Sequence, residues 1–332
     1  MTAYVGIQGQ NILITATDPS NPVEGQIWYN STSNTLKDYQ NVVVAAAWAS
    51  GGNLNTARRG IAASNGGTQT AGLAAGGYNG STSVPGFTEL YNGTSWTVGN
   101  SLNTGRYVGL GIGTQTAFII AGGYSYPPST AYDITESWNG TSWTNLPATL
   151  SSAGLYRTGT GTQTAGIAVG YGTTENQLWN GSAWTTNPLT MNTSLSGRGI
   201  SGTQTSAIAS GGQDPVGAVT SSEKYNGSAW TSTPNINTAR FFAGAAGTSN
   251  SSSLMFAGNR SPGPSYNTST ELWDGTSWTT TPSMSTSTNS NGSAGTATSA
   301  LSFGGDGPSM VAATEEFTGA SIALQTKTIT TS

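Results

Sequence analysis

One short phrase recurs through this chain: an aromatic residue, then Asn or Asp, Gly, two variable residues and Trp. It begins at Tyr91, Trp138, Trp179, Tyr225 and Trp273, with a degenerate copy at Phe317. The residues that close the units are Trp48, Trp96, Trp143, Trp184, Trp230, Trp278 and, in the degenerate copy, Ile322. Their spacings of 41 to 48 residues predict six structural repeats, because a fixed period of this length marks a repeat architecture.

Each unit also contains a small apolar run that ends in or next to glycine. The runs are Ala71–Gly77, Ala117–Gly123, Ala165–Tyr171, Ser206–Gly212, Ser253–Asn259 and Ser299–Gly305, and four of them follow Thr-Gln-Thr. Such a run, bounded by glycine, predicts a strand buried on both faces. The Asn-Gly pair of the repeated phrase predicts a two-residue type I′ hairpin turn. Each unit therefore reads as four short strands, and no segment has helical periodicity.

Six four-stranded units predict an all-β protein with a six-bladed β-propeller over residues 48–322, since radial repetition leaves only short sheet edges. We expect the six Trp residues to be structural, each packing against the next blade. Residues 1–47 form an N-terminal attachment segment with a β-hairpin, and residues 323–332 form a strand or a tail. Val42–Trp48 aligns with the fourth strand of a unit, so either terminus could complete the last blade.

The composition excludes several classes of function. Only 7% of residues are charged, against about 25% in ordinary domains, yet ten Trp, thirteen Tyr and seven Phe argue against disorder. Without Cys or His, disulfides, zinc-thiolate sites and Ser-His-Asp catalysis are impossible. We expect no catalytic residue, metal or cofactor. Scattered basic residues predict no nucleic-acid partner, and the longest apolar run, Val42 to Ala49, is too short for membrane insertion.

Ten of the charged residues fall on repeated positions. One set is Arg58, Arg106, Arg157, Arg198 and Arg240; the other, two residues before the third-strand aromatic, is Glu89, Glu136, Glu223, Glu271 and Glu315. The third unit has Gln177 in the Glu position, and the sixth has no Arg. The favoured interpretation is structural, because a buried charge must be paired or hydrogen-bonded.

The glycine pair, the aromatic residue, the Trp and the Arg ten to fourteen residues beyond it resemble the kelch repeat. The resemblance covers residues 49 to about 322. It implies a second role for the five Arg, since arginines of this phrase in kelch adaptors line the channel mouth and receive acidic peptides. On that interpretation Arg58, Arg106, Arg157, Arg198 and Arg240 form a ring that binds carboxylates, phosphates or acidic sugars.

Gly25-Gln26-Ile27-Trp28-Tyr29-Asn30 resembles the Gly-x-x-Trp-Tyr-Asn hairpins of bacteriophage tail-fibre and appendage proteins. The N-terminus has no signal-peptide pattern, although the sparse charge is typical of an exposed protein. We therefore expect a non-enzymatic virion protein (tail fibre, appendage or capsid decoration) made in the host cytoplasm and displayed on the virion surface.

Its expected partners are other virion structural proteins, bound through residues 1–47, and host-surface polysaccharide. A fibre-like protein would be a trimer. One alternative is a kelch protein-interaction module that binds an acidic partner through the arginine ring. The other is a glycan-active enzyme.

Overall fold

The computed structural model describes residues 12–81, 84–170, 172–263 and 265–329. These residues contain strands and loops and no helix. The chain divides into two compact units, one of Met1–Ala46 with Ala320–Ser332 and one of Ala47–Gly319. Residues 1–11 and 330–332 of the predicted terminal segments, and Tyr171 of the third apolar run, lie outside the described residues.

The first unit is a four-stranded sheet built from both ends of the chain. Strands are numbered along the chain, and this sheet has the order β1 (Leu13–Thr15), β2 (Ile27–Asn30), β3 (Thr35–Val44) and β30 (Ser321–Thr328). Strand β1 is parallel to β2, and the other pairs are antiparallel. The C-terminal boundary of the repeat region therefore lies before residue 322, where the sequence placed it. Ile322 lies in β30, opposite Val43, and not in the last repeat unit.

The second unit contains six four-stranded antiparallel sheets. Sheet 1 has β5 (Ala62–Ala63), β6 (Leu73–Ala75), β7 (Thr88–Tyr91) and β8 (Trp96–Gly99). Sheet 2 has β9 (Leu110–Gly113), β10 (Phe118–Ala121), β13 (Ile134–Trp138) and β14 (Trp143–Thr149); β11 (Tyr124–Ser125) and β12 (Thr130–Ala131) form a separate hairpin. Sheet 3 has β15 (Arg157–Thr162), β16 (Ala165–Gly170), β17 (Asn176–Trp179) and β18 (Trp184–Thr186).

The remaining sheets follow the same order of strands. Sheet 4 has β19 (Gly199–Thr203), β20 (Ser206–Ser210), β21 (Ser222–Tyr225) and β22 (Trp230–Thr233). Sheet 5 has β23 (Gly244–Ser249), β24 (Ser252–Phe256), β25 (Thr270–Trp273) and β26 (Trp278–Thr281). Sheet 6 has β27 (Gly292–Thr296), β28 (Ser299–Phe303), β29 (Thr314–Thr318) and β4 (Ala47–Ser50).

The six sheets are arranged around a common centre. Each first strand contacts the first strands of two other sheets, and these contacts run in a closed cycle from β5 through β9, β15, β19, β23 and β27 back to β5. This is the propeller-like arrangement of antiparallel sheets expected from the repeat, and the all-β fold class is confirmed.

The last sheet takes its fourth strand from the beginning of the second unit. Trp48 of β4 pairs with Phe317 of β29, and their rings lie 5.2 Å apart. The strand that completes sheet 6 is thus supplied from the N-terminal side, where the sequence left both termini open. Because the strands of sheet 6 come from both ends of the second unit, the pairing of β4 with β29 joins the beginning of the ring to its end.

The turns at the repeated Asn-Gly pairs differ from the sequence prediction. Tyr91 pairs directly with Trp96, so the loop has four residues, and only Gly93 has positive φ (90°). Asn92 Oδ1 instead accepts hydrogen bonds from the backbone N–H groups of Thr94 (3.0 Å) and Ser95 (2.9 Å). The two-residue type I′ prediction is wrong, because an Asn side chain that caps its own turn stabilises a longer loop.

Candidate functional site

The first strands of the six sheets surround a central channel. A cavity of about 110 Å³, here called the channel cavity, is lined by residues from all six sheets. A second cavity of about 250 Å³, here called the mouth cavity, shares Gly60, Val108, Tyr156, Phe242 and Ser290 with it. The two cavities are therefore continuous through one ring of residues, which makes this the main concave feature of the second unit.

That ring is a repeated backbone position with left-handed geometry. One residue in each of the six sheets, just before the first strand, has a positive φ between 50° and 63°. These six rim positions are Gly60, Val108, Tyr156, Gly197, Phe242 and Ser290. Four of these residues are not glycine, and each carries a backbone strain of about 1–3 kcal/mol. Neighbouring sheets hold the conformation in place: Val108 N donates to Gly60 O (2.7 Å), and Ser290 N donates to Phe242 O (2.8 Å).

Aromatic side chains dominate the mouth. The rings of Tyr156 and Phe242 lie 4.8 Å apart, and Tyr156 is 38% exposed. Beside them, the ring of Tyr107 lies 5.6 Å from Tyr78 and 5.7 Å from Tyr124. Burial, together with the surrounding tyrosines, raises the pKa of Tyr107.

The polar groups of the mouth cavity are mostly uncharged. Asn259 and Asn289 line it, and its one ion pair joins Arg59 Nη1 to Asp306 Oδ2 at 2.6 Å. Arg59 also lies over the ring of Tyr78, 5.6 Å from its centroid. The mouth thus combines flat aromatic faces, amide groups and a pair of opposite charges that compensate each other.

The far end of the channel is crossed by two residues that, among the six sheets, only sheet 1 contains. Asn65 and Gly66 are inserted between β5 and the Thr-Gln-Thr phrase. Asn65 Nδ2 donates to Gly159 O of sheet 3 (3.0 Å), and Asn65 Oδ1 accepts from Ser293 Oγ of sheet 6 (3.0 Å). Gly66 N donates to Gly113 O of sheet 2 (3.1 Å). Asn65 and Gly66 thus form a floor that crosses the channel from sheet 1 to sheets 2, 3 and 6.

The five repeated Arg residues do not occupy one equivalent position. Arg58, Arg106 and Arg240 stand two residues before the rim position, whereas Arg157 and Arg198 stand one residue after it. Equivalent positions to Arg58 hold Gly154, Leu195 and Thr288 in sheets 3, 4 and 6. The prediction that the five Arg occupy the same place in their units is wrong. A long guanidinium side chain can reach the repeated Glu from either backbone position, as Arg198 does with Glu223.

The structure places these side chains in buried contacts, and two of them, Arg157 and Arg198, also line the channel cavity. The five Arg are between 0% and 5% exposed. Nη2 of Arg106 and of Arg198 each lie 2.9 Å from Glu136 and Glu223, respectively. Arg58 pairs with Glu89 and Arg240 with Glu271. Burial lowers the pKa of the four paired guanidinium groups, and the adjacent carboxylate opposes that shift.

Arg157 is the fifth of the set and donates from Nη2 to Ser152 Oγ (3.0 Å). Ligand binding by an arginine ring remains a prediction, and the burial of all five side chains argues against it.

The repeated Glu residues fasten the loop that leads into each sheet. Glu136 accepts hydrogen bonds from the backbone N–H groups of Asn103 (2.8 Å) and Thr104 (3.1 Å). Glu89, Glu223, Glu271 and Glu315 accept from loop backbone N–H groups in the same way. In sheet 3 the amide Gln177 Oε1 accepts from Ser151 N (3.1 Å).

The repeated Trp residues link each sheet to the one before it. Trp143 of sheet 2 donates from Nε1 to Thr88 Oγ1 of sheet 1 (3.0 Å), and Trp96 donates to Thr314 of sheet 6 (2.9 Å). Trp48 and Trp184 make the same bond to Thr270 and Thr135. Trp230 and Trp278 are equally buried, but their Nε1 atoms have no hydrogen-bond partner among the described residues.

A third inter-sheet link was not predicted from the sequence. Gln115 Nε2 of sheet 2 donates to the carbonyls of Gly72 (3.0 Å) and Tyr91 (2.6 Å) in sheet 1. Gln163 and Gln204 repeat this bond, and Gln69 makes it across the join to Ala300 and Phe317 of sheet 6. The sequence feature that could have predicted this link is the repeated Thr-Gln-Thr phrase, whose Gln bridges neighbouring sheets.

Two absences among the described residues bear on the chemistry. They contain no group of three or more Asp and Glu placed to hold a metal ion. None of their segments is a helix with the length and apolar character needed to cross a membrane.

Comparison with known proteins supports the fold. No protein-family model matches the sequence, and no curated protein matches it significantly. Among solved structures, the chain is similar to that of YjhT, with a TM-score of 0.65 and 11% sequence identity. The superposition covers 82% of this chain and 99% of YjhT. At this identity the likeness shows the fold alone, an all-β arrangement of propeller type.

Proposed function

We propose that this chain is a non-enzymatic binding protein of a bacteriophage virion. In this proposal the six sheets are the blades of a kelch-like propeller, and the mouth of its channel binds a host-surface glycan. The first unit joins the propeller to other virion proteins. The observation that carries the proposal is the chemistry of the mouth, which combines aromatic faces with uncharged hydrogen-bonding groups.

A sugar ring offers a weakly polar face and a rim of hydroxyl groups. The first matches the flat faces of Tyr107, Tyr156 and Phe242, since aromatic side chains supply large rigid contact areas with little entropy to lose. The second matches the amide of Asn259, which lines the mouth cavity, since an amide can both donate and accept. The amide of Asn289 is already bonded within the protein, to Ser265 O through Nδ2 and to Ser290 Oγ through Oδ1. Because Arg59 is paired with Asp306, recognition here does not depend on a strongly charged ligand.

The N-terminal hairpin supports the virion part of the proposal. The Gly-x-x-Trp-Tyr-Asn motif forms β2 and the two residues before it, and Trp28 is fully buried. Asp18 Oδ1 accepts hydrogen bonds from Trp28 Nε1 (3.1 Å) and Asn30 Nδ2 (2.7 Å), and its Oδ2 pairs with Lys37 (2.7 Å). The motif is therefore the core of a folded unit and resembles an attachment module.

The alternative function, capture of an acidic partner by the arginine ring, has less support. It requires free guanidinium groups, whereas four of the five already pair with buried Glu residues. Exchange of those partners would leave the carboxylates buried and uncompensated, which is strongly unfavourable.

The proposal is tested by binding of the purified protein to a glycan array that includes bacterial surface polysaccharides. We expect saturable binding that Tyr107→Leu weakens about tenfold, because the side chain at the centre of the tyrosine cluster loses its flat face. Tyr266→Leu is the matched control, since Tyr266 is half-buried in the loop between β24 and β25 and does not line either cavity. Absence of binding to every glycan, with the protein folded, would overturn the proposal.

A further inference from the structure

The first unit leaves one long sheet edge without a partner among the described residues. β30 (Ser321–Thr328) is the last strand of this sheet and pairs only with β3. We propose that this free edge pairs antiparallel with the same edge of a second copy of the chain, so that two four-stranded sheets join across a two-fold axis. The inference concerns the first unit alone and does not depend on glycan binding by the second.

The free edge lacks the features that keep most exposed strands from pairing. Natural edge strands are protected by short length, proline, β-bulges or charged side chains. β30 has eight residues without proline, and each pairs one to one with a residue of β3. Its one charged side chain is Lys327, and all of its residues except Ala323 are exposed. Its outer side is therefore open to pairing with another strand.

The hydrogen bonds to β3 show which backbone groups of β30 point to the free edge. Just beyond the strand, Ile329 N donates to Leu36 O (2.8 Å). Backbone groups along an antiparallel strand alternate in direction, so the odd-numbered residues of β30 bond to β3 and the even-numbered residues point away from it. Those even-numbered residues are Ile322, Leu324, Thr326 and Thr328. Because side chains alternate with the same period, all four also lie on one face of the sheet.

That face carries an exposed apolar patch beside the free edge. Ile322 is 71% exposed, and Val43, its direct partner in β3, is 74% exposed. Leu324 follows on the same face and is 41% exposed. Directly paired residues have neighbouring side chains, so the three form one patch. Contiguous exposed apolar side chains mark contact surfaces, and this one adjoins the unpaired backbone groups.

A two-fold axis at Leu324 makes the edge complementary to itself. Leu324 then faces the same residue of the second copy, and Ile322 faces Thr326. Each of these outward-directed pairs exchanges two backbone hydrogen bonds. Lys327 faces Ser321, so the two lysines lie at opposite ends of the paired strands and do not repel each other. The apolar side chains of both copies meet on one face.

The opposite edge of the sheet is less suited to this contact. β1 has three residues, against eight in β30, so it would satisfy fewer of the outward-directed groups. Contact between β30 of one copy and β1 of another would also be heterologous, and such contacts build rings or filaments. The trimer expected for a fibre-like protein would need a contact of that kind. Pairing of β30 with itself is isologous and ends with two copies.

The experiment measures the mass of the full-length protein by light scattering after gel filtration at several protein concentrations. We expect the mass to rise towards twice the chain mass of 33.7 kDa, because small interfaces are reversible. The mass of one chain at every concentration would overturn the inference and leave the edge to another virion protein. The mass of three or more chains would contradict the two-fold pairing. Neither result bears on glycan binding, which the array tests separately.

A proline variant tests whether the free edge makes the contact. Leu324→Pro removes one outward N–H group and no bond to β3, since an edge strand accepts proline where its N–H faces solvent. We expect this variant to be a monomer at concentrations at which the unsubstituted protein is a dimer. A folded Leu324→Pro variant that dimerises equally well would refute the proposed contact.

A charge exchange tests the position of the axis. Leu324→Lys and Leu324→Glu each place like charges opposite one another, so each variant alone should be a monomer. An equal mixture of the two should recover the dimer, because opposite charges then face each other. Val98→Lys is the matched control and should dimerise normally, since Val98 is 71% exposed on β8 of the second unit. A mixture that stays monomeric would rule out pairing about Leu324.

Discussion

Sheets 5 and 6 are neighbours with the same four-strand pattern, but they are held together differently. In sheet 5, Glu271 accepts two loop N–H groups and pairs with the buried Arg240. In sheet 6, Glu315 accepts Ser285 N (2.8 Å) and Thr286 N (2.7 Å), and Thr288 stands where sheet 5 has Arg240. The comparison teaches that a side-chain acceptor at the Glu position, which is Gln177 in sheet 3, is common to all six sheets, whereas the ion pair is not.

The reason lies in what each group satisfies. A buried loop must find acceptors for its backbone N–H groups, and the Glu carboxylate supplies two at once in both sheets. Arg240 has a different role. It compensates the buried charge of Glu271 and donates hydrogen bonds to nearby carbonyls such as Ser269 O (2.7 Å). Sheet 6 shows that this compensation can be omitted when the carboxylate has enough donors.

The largest expected difference between the two sheets comes from one substitution made in each. Glu271→Gln leaves Arg240 as an uncompensated buried charge, so we expect a loss of about 3–5 kcal/mol in the free energy of unfolding. Glu315→Gln removes only a charge-assisted acceptor and should cost about 1–2 kcal/mol. Denaturant unfolding of both variants measures the difference. Equal losses in the two variants would show that the buried charge of Arg240 does not need the carboxylate of Glu271.

A smaller effect is expected from the inter-sheet Trp residues. Trp143 and Trp278 are both 7% exposed, but only Trp143 has hydrogen-bond partners for Nε1, Thr88 Oγ1 and Asn100 O (3.1 Å). The change to Phe removes the same volume at both positions, so the difference between the variants reports the hydrogen bond. Trp143→Phe should lose about 1 kcal/mol more than Trp278→Phe.

Equilibrium unfolding in guanidinium chloride checks this value. A larger loss for Trp278→Phe would indicate that its indole N–H is hydrogen-bonded in solution. The ion pair would then be the one remaining difference described here between sheets 5 and 6.

The sequence predicted the sheets because their signals are local. The repeated phrase and the apolar runs each lie within one unit, and the all-β propeller class follows from them. The rim could not be predicted, since its six positions hold Gly60, Val108, Tyr156, Gly197, Phe242 and Ser290, which share a φ angle but no chemical property. That conformation is imposed by hydrogen bonds between sheets, which a pattern within one unit does not contain.

The candidate site was missed for a related reason. The sequence directed attention to the repeated Arg, because repetition is visible, whereas the floor is formed by Asn65 and Gly66, which occur once. The different backbone position of Arg157 and Arg198 did leave a signal in the sequence, since each lies 14 residues after its Trp whereas the other three Arg lie 10 residues after theirs. Repeated residues in this chain hold the ring together and line most of its channel, whereas the floor is formed by residues that occur in sheet 1 alone.

The smallest expected effect concerns the turns, where sheet 5 has Asp274 and sheets 1 to 4 have Asn. Hydrogen bonds from the Thr276 hydroxyl and from the backbone of Ser277 and Thr276 lower the pKa of Asp274 to about 2. A carboxyl group whose pKa is lowered by folding stabilises the folded state above its ordinary pKa of about 4, and this contribution is lost as the pH falls towards 2. Stability should therefore decline more steeply over this range with Asp274 than with Asp274→Asn.

The reciprocal change, Asn226→Asp in sheet 4, should introduce the same pH dependence, because Asn226 Oδ1 already accepts from Ser228 N (2.9 Å) and Ala229 N (2.8 Å). Melting temperatures of the three proteins between pH 5 and pH 2 measure the slopes. Asp18, whose pKa is also lowered to about 2 by Lys37, Asn30 and Trp28, is present in all three and cancels. Parallel curves would mean that the turn bonds are too exposed to distinguish the carboxylate from the amide, so that Asp and Asn are interchangeable at these turns.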